Sequence, residues 1–207
     1  MAWIFDTALE GRAPYAGKVY FFRGTRYLRY DWTLDRLDQR PAPLSAWNLP
    51  SPFSSGVDAA VNGLGSYLGR AYFFRGGQYV RYDWASNTVG PPTSLAAWHL
   101  PAPFLDGVDA AINGYGAREG KTFFFRDKQY VTYDWATDTT TAPRPLTDWN
   151  LVGMFANGIH AGVNGEGAYA GKAYLFRGAH YQRYDWATSR PDIPRSHLSR
   201  WNLGSGP

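Results

Sequence analysis

Short strand-like patterns, separated by turn residues, run the length of the chain. The segment 17–24, "GKVYFFRG", is a continuous apolar run that stops at Arg23 and Gly24. The next, "RYLRYDW" (26–32), alternates: Tyr27, Arg29 and Asp31 fall on one face, Leu28, Tyr30 and Trp32 on the other. An apolar run of strand length followed by period-two alternation predicts two strands, and the "RGTR" between them predicts a tight hairpin with glycine where φ is positive. Upstream, "FDTALEG" (5–11) reads as a shorter strand of small residues. Downstream, the proline-rich "PAPLSAWNLP" (41–50) predicts a short outer strand or helical turn.

This unit recurs. "YFFRGTRYLRYDW" at 20–32 returns as "YFFRGGQYVRYDW" (72–84), "FFFRDKQYVTYDW" (123–135) and "YLFRGAHYQRYDW" (174–186), with Arg23, Arg75, Arg126 and Arg177 spaced by 52, 51 and 51 residues. "VDAAVNG" (57–63), "VDAAING" (108–114) and "IHAGVNG" (159–165) copy the first short strand, and "WNL" or "WHL" closes each copy at Trp47, Trp98, Trp149 and Trp201. Asp127 replaces the hairpin glycine in the third copy, a position aspartate tolerates better than most residues. A period near 50 with about four strands per copy predicts an all-β, four-bladed β-propeller with a central tunnel, its blades approximately 1–51, 52–102, 103–153 and 154–207. A solenoid would need polar capping repeats, whereas the first and last copies here are as apolar as the middle ones.

Composition narrows the function. The 207 residues contain no cysteine, so no disulfide framework or thiolate metal site exists. The formal charge is only +4, with 17 acidic residues scattered among 21 basic ones and no basic block. Arginines among aromatics suit nucleic-acid stacking, but Arg23 and its copies repeat as faithfully as Asp31, Asp83, Asp134 and Asp185, which points to pairing or turn-capping inside each blade. No nucleic-acid partner is expected. No run of eighteen apolar residues predicts a membrane span, and "MAWIFDTALEGRAP" lacks the layout of a signal peptide. The compartment stays open between the cytoplasm and non-classical secretion. No nucleophile triad, phosphate loop or His-x-x-x-His pair is present, so a non-enzymatic binding role is expected.

The "DA" strand, the aromatic "YFFR" strand, the "Y-x-R-Y-D" strand and the terminal tryptophan resemble the hemopexin repeat family, and the match covers all four copies, with Thr7, His160 and Thr132 among the departures from the pattern. Its disulfide-free members, such as bacterial photopexin-like proteins and legume seed albumins, are nearest in character. The disulfide that often joins first and last blades is missing, so closure must rest on packing and strand contacts. The resemblance implies ions in the tunnel: Ca²⁺ or Na⁺ on the main-chain carbonyls of Asp6, Asp58, Asp109 and His160. A second carbonyl or amide ring, with chloride as a further occupant, falls at Ala8, Ala60, Ala111 and Gly162. Small side chains are expected there because four backbones approach one axis, while the aspartate side chains also suit turn capping.

Three further expectations follow. Tyr15, Tyr67, Arg118 and Tyr169 share one repeat position and are candidates to ring a tunnel mouth and bind a flat or cationic ligand, against the plainer role of covering the loop's apolar base. His160 and His180, placed at one end of blade four, are candidates for axial haem ligands, as the family's name suggests. A haem or polyamine carrier and a detached accessory domain of an enzyme, as in matrix metalloproteinases, are the alternatives to a module that binds a small molecule or protein on one face. Exposed loop aromatics leave a homodimer open.

Overall fold

A computed structural model describes residues 3–203. Four antiparallel sheets follow one another along the chain, one per repeat. The innermost strands are Thr7–Glu10, Ala59–Asn62, Ala110–Asn113 and Ala161–Asn164. The second strands are Lys18–Arg23, Arg70–Arg75, Lys121–Arg126 and Lys172–Arg177, and the third are Arg26–Asp31, Gln78–Asp83, Gln129–Asp134 and His180–Asp185. The outer strand is continuous only in blade one, Arg36–Pro43; in the other blades it is split into two two-residue pieces that both pair with the third strand.

The aromatics on both faces of each strand are explained by four core clusters, each shared by neighbouring blades. Phe22 and Trp47 of blade one pack with Phe73 and Trp84 of blade two, and Phe74 and Trp98 repeat the arrangement against Phe124. The cluster joining blade four to blade one is of the same kind: Phe5 meets Phe176 edge-on at 5.0 Å, and Trp201 meets Phe21 at 5.6 Å. Such contacts contribute about 0.5–1.5 kcal/mol each beyond their area. The ring therefore closes on a complete hydrophobic seam.

The "WNL" signature has a backbone reason. Each tryptophan ends a short 3₁₀ turn, and the next residue (Asn48, His99, Asn150, Asn202) takes the left-handed conformation, φ 46–55°. Asparagine tolerates this region and caps the turn. Asn150 also donates to the Ser189 carbonyl at 3.0 Å, and Asn202 to the Asp35 carbonyl at 3.3 Å, tying blade to blade and last blade to first.

The repeated charges pair as expected in kind but with other partners. Asp31, Asp83, Asp134 and Asp185 bond Lys18, Arg70, Lys121 and Lys172 across the hairpin, and each accepts main-chain N–H groups two and three residues on. Arg75, Arg126 and Arg177 instead donate to the carbonyls of Gly56, Gly107 and Asn157, holding the loop that leads into the innermost strand.

Candidate functional site

The axis is lined by the free edges of the four innermost strands. Gly11 donates to the Lys18 carbonyl at 2.8 Å, and Thr7 pairs with Phe22, so residues 7, 9 and 11 face the second strand. Antiparallel pairing then turns the carbonyls of Ala8 and Glu10 toward the axis, while Asp6 lies one residue before the ladder with its N–H on Phe22. The same register turns Ala60 and Asn62, Ala111 and Asn113, and Gly162 and Asn164 inward, with Asp58, Asp109 and His160 one residue before their ladders. At the first level the N–H groups are occupied: Asp6, Asp58, Asp109 and His160 donate to Phe22, Phe74, Phe125 and Phe176. That level offers only carbonyl oxygens. The Ala8 level offers N–H and carbonyl alike.

The side chains at the first level cap the hairpins. Asp6, Asp58 and Asp109 accept the main-chain N–H of Gly24, Gly76 and Asp127 at 2.7–2.8 Å, and His160 Nδ1 accepts that of Gly178 at 3.2 Å. Burial, before any other cause, raises the Asp109 carboxyl. At the second level a Cβ on Gly162 would meet Ile112 of the neighbouring blade at 3.3 Å and Leu175 of its own at 3.5 Å, so packing against side chains favours a small residue there. Among the described residues no three acidic or histidine side chains cluster as metal ligands, so any axial ion would rest on main-chain oxygens.

The third level is a belt the sequence reading missed. Asn62 donates through Nδ2 to the Glu10 carbonyl at 2.7 Å, Asn113 to Asn62 at 2.8 Å and Asn164 to Asn113 at 2.8 Å. The circuit ends at Glu10, whose carboxylate has no N–H; it accepts the Asn164 main-chain N–H at 2.7 Å instead. Trp84 and Trp186 hold the Asn62 and Asn164 side-chain oxygens at 2.8 and 2.7 Å, and Thr122 links Trp135 to Asn113. Trp32, with Glu10 in that place, has a buried Nε1 without a partner. The signal was present in sequence as the last residue of each "DAAVN" copy.

Beyond the belt the axis opens into a cavity of about 560 Å³. Arg12, Leu64, Tyr115 and Glu166, one from each blade at one repeat position, line it together with Glu10 and Glu119. Here the fourfold chemistry breaks completely. Burial raises the Glu166 carboxyl; the Gly17 N–H and Arg12 oppose that rise, while the Glu10 charge adds to it.

Tyr15, Tyr67, Arg118 and Tyr169 do not ring this mouth. The turn after the innermost strand, a 3₁₀ turn in blades two to four, carries them outward into the crevices between blades. Tyr15 packs on Trp84 at 6.3 Å, Tyr67 on Trp135 at 5.4 Å and Tyr169 on Trp32 at 5.6 Å. Arg118 lies over Phe123 and donates to Ser189 Oγ at 3.3 Å. Three crevices remain as cavities: about 430 Å³ between blades one and two, 370 Å³ between two and three, and 160 Å³ between four and one.

Nor are His160 and His180 arranged as a ligand pair. His180 lies against His197, ring centroids 5.4 Å apart, while the ring against His160 is Phe5 at 5.7 Å. Because His160 Nδ1 accepts a hydrogen bond, its neutral ring carries the proton on Nε2, which is buried without a partner and offers iron no lone pair. Burial lowers the His160 pKa to about 4.

Four blades around an axial tunnel, with no α-helix and only short 3₁₀ segments among the described residues, define the class: a four-bladed β-propeller. The chain has the hemopexin fold, and residues 5–51, its first repeat, match the Hemopexin family model. It is 31% identical to vitronectin of Sus scrofa over 125 residues, 56% of this chain, and spans 25% of that relative's length. The hemopexin fold protein CP4 from cow pea superposes with a TM-score of 0.79 at 20% identity, covering 96% of both chains. A Cicer arietinum plant lectin described as having two metal binding sites superposes with a TM-score of 0.75 at 16% identity, covering 97% of this chain and 96% of its own.

Proposed function

We propose that the protein is a non-enzymatic binding module whose axis holds a cation and whose wide mouth receives a small ligand or a partner's side chain. The observation that carries this reading is that the N–H groups of Asp6, Asp58, Asp109 and His160 are all taken by the second strands, which leaves their carbonyls as the backbone groups available to an ion at that level. Unpaired main-chain oxygens converging on an axis suit a hard cation such as Ca²⁺ or Na⁺. The inward N–H groups of Ala8, Ala60, Ala111 and Gly162 suit an anion such as chloride one level deeper. The two metal binding sites described for the Cicer lectin, on the same fold, favour the same reading.

At the mouth, Glu10, Glu119 and Glu166 outnumber Arg12, so the local field favours a cationic group, with Tyr115 as an aromatic wall. The test is thermal unfolding after chelation and dialysis, followed by titration with Ca²⁺, with Na⁺ and, separately, with an alkyl diamine. Ca²⁺ or Na⁺ should raise the melting temperature of wild type and of Glu166→Gln alike, with a stabilisation of about 2.7 kcal/mol at one hundred times its Kd. The diamine should stabilise wild type and lose that effect in Glu166→Gln. Unchanged melting with both Ca²⁺ and Na⁺ would refute the axial site, and an unchanged diamine effect in the variant would refute the mouth.

A further inference from the structure

The four repeats act as internal controls for one another, and one comparison isolates a missing carboxylate. In blade one, Asp38 bridges Arg29 Nε at 2.9 Å and Lys18 Nζ at 3.0 Å. In blade four, Asp192 bridges Arg183 and Lys172, both at 2.8 Å. The main-chain N–H of Asp192 donates to the Arg183 carbonyl, as that of Gly90 does to Arg81 and that of Thr141 to Thr132. Position 90 in blade two therefore corresponds to Asp192, and position 141 does so in blade three. Blade three has lost both charges. Blade two has lost only the acid: Arg81 remains, exposed, and among the described residues no carboxylate lies within 4.0 Å of its guanidinium.

Space goes with the missing acid. A Cβ on Gly90 would meet only the Arg81 carbonyl oxygen, at 3.7 Å, and Gly90 does not have the positive φ that would demand glycine. Arg81 and Gly90 both open onto the crevice between blades two and three, whose 370 Å³ is within the roughly 300–1,000 Å³ of small-molecule sites. Its walls are the rings of Tyr67, Tyr72, Trp98 and Trp135, and Asp138 stands on the far rim, one carboxylate oxygen holding the Tyr133 hydroxyl at 2.6 Å.

We propose that this crevice binds an acidic monosaccharide unit of the hexuronate type, its carboxylate taking the place on Arg81 that Asp38 and Asp192 occupy in the sister blades. The aromatic walls cover the C–H face of the pyranose ring. Asp138 accepts its hydroxyls. The guanidinium fork matches a carboxylate in a way no neutral sugar can use. A plain aromatic acid would satisfy Arg81 and the rings but bring no hydroxyl to Asp138 Oδ2, the oxygen that Tyr133 leaves free and that has only His99 Nε2, at 3.6 Å, beside it. This site is separate from the axis, so its test is independent of the axial cation.

The test is a ligand titration followed by NMR of the whole chain with D-glucuronate, its methyl ester, D-glucose and benzoate. Glucuronate should bind about tenfold or more tightly than the ester or glucose, the advantage of one charge-assisted pair. Gly90→Asp should rebuild the internal ion pair and abolish that preference, and the exposed substitution Arg81→Gln should do the same without touching the fold. Glucuronate binding retained in either variant would overturn the proposal. So would equal binding of glucose and glucuronate, tighter binding of benzoate, or no saturable shift with glucuronate up to about 50 mM, weaker than any useful site.

Discussion

Glu10 Oε1 accepts the main-chain N–H of Asn164 at 2.7 Å across 154 residues, and with that bond the belt of side chains around the axis returns to its start. Glu10→Ala removes the link between first and last blades and leaves a part-buried N–H without its partner, so unfolding free energy should fall by about 1–3 kcal/mol. Glu10→Asn installs the residue of the other three copies. It can donate to the Asn164 carbonyl and accept from the buried, unpartnered Trp32 Nε1, as Asn62 accepts from Trp84. Chemical denaturation should show Glu10→Asn at least as stable as wild type; a loss as large as that of Glu10→Ala would contradict the belt.

Asn62 is the most enclosed member of the belt, fully buried between the Glu10 carbonyl and Trp84. Asn62→Ala orphans one acceptor and one donor and leaves a small cavity, which costs about 2–4 kcal/mol. The same change at Asn48, on the exposed rim, should cost less than about 1 kcal/mol. Equal losses would place the belt's contribution elsewhere.

His160 makes stability depend on pH. Its pKa is about 4 in the folded chain because burial disfavours the charged ring, against about 6.5 when unfolded. Between these values the unfolded chain binds more protons, so this contribution is whole above pH 6.5 and is lost as the pH falls through 4. The loss amounts to about 3 kcal/mol. In His160→Asn the amide oxygen can still accept the Gly178 N–H but does not titrate. The stability of wild type relative to this variant should therefore fall by about that amount between pH 7 and pH 4, and a difference independent of pH would contradict it.

Asp127 holds φ 50° where Gly24, Gly76 and Gly178 have 50°, 50° and 55°. Asp127→Gly relieves the Cβ strain but frees the unfolded backbone, so the net gain should lie between about 0 and 1 kcal/mol. Its main-chain N–H still reaches Asp109. A loss of more than about 1 kcal/mol in denaturation would mean that the Asp127 side chain makes a contact the turn needs.

The sequence revealed what the repeat encodes locally. "YFFRGTRYLRYDW" forms a hairpin because its runs have strand period and its turn carries a glycine at positive φ. The bonds of Asn62, Asn113 and Asn164 were legible only as an unexplained last letter of the short strand, because each addresses a carbonyl of another blade and acquires its partner only when the ring is closed. The tunnel mouth was misplaced by three residues for a related reason. Tyr15, Tyr67 and Tyr169 share the loop with Arg12, Leu64 and Glu166, but the tight turn sends the tyrosines outward to the neighbouring blade's tryptophans and leaves the earlier position facing the axis. Closeness in sequence does not fix which way a loop side chain points.

The axial cation is tested most directly by anomalous scattering from crystals grown with a heavy analogue of the hard cations, such as Ba²⁺ for Ca²⁺ or Rb⁺ for Na⁺. The account predicts one dominant anomalous peak on the propeller axis, within coordination distance of the carbonyl oxygens of Asp6, Asp58, Asp109 and His160. An axis showing only water-like density at that level, with the anomalous signal elsewhere or nowhere, would contradict it.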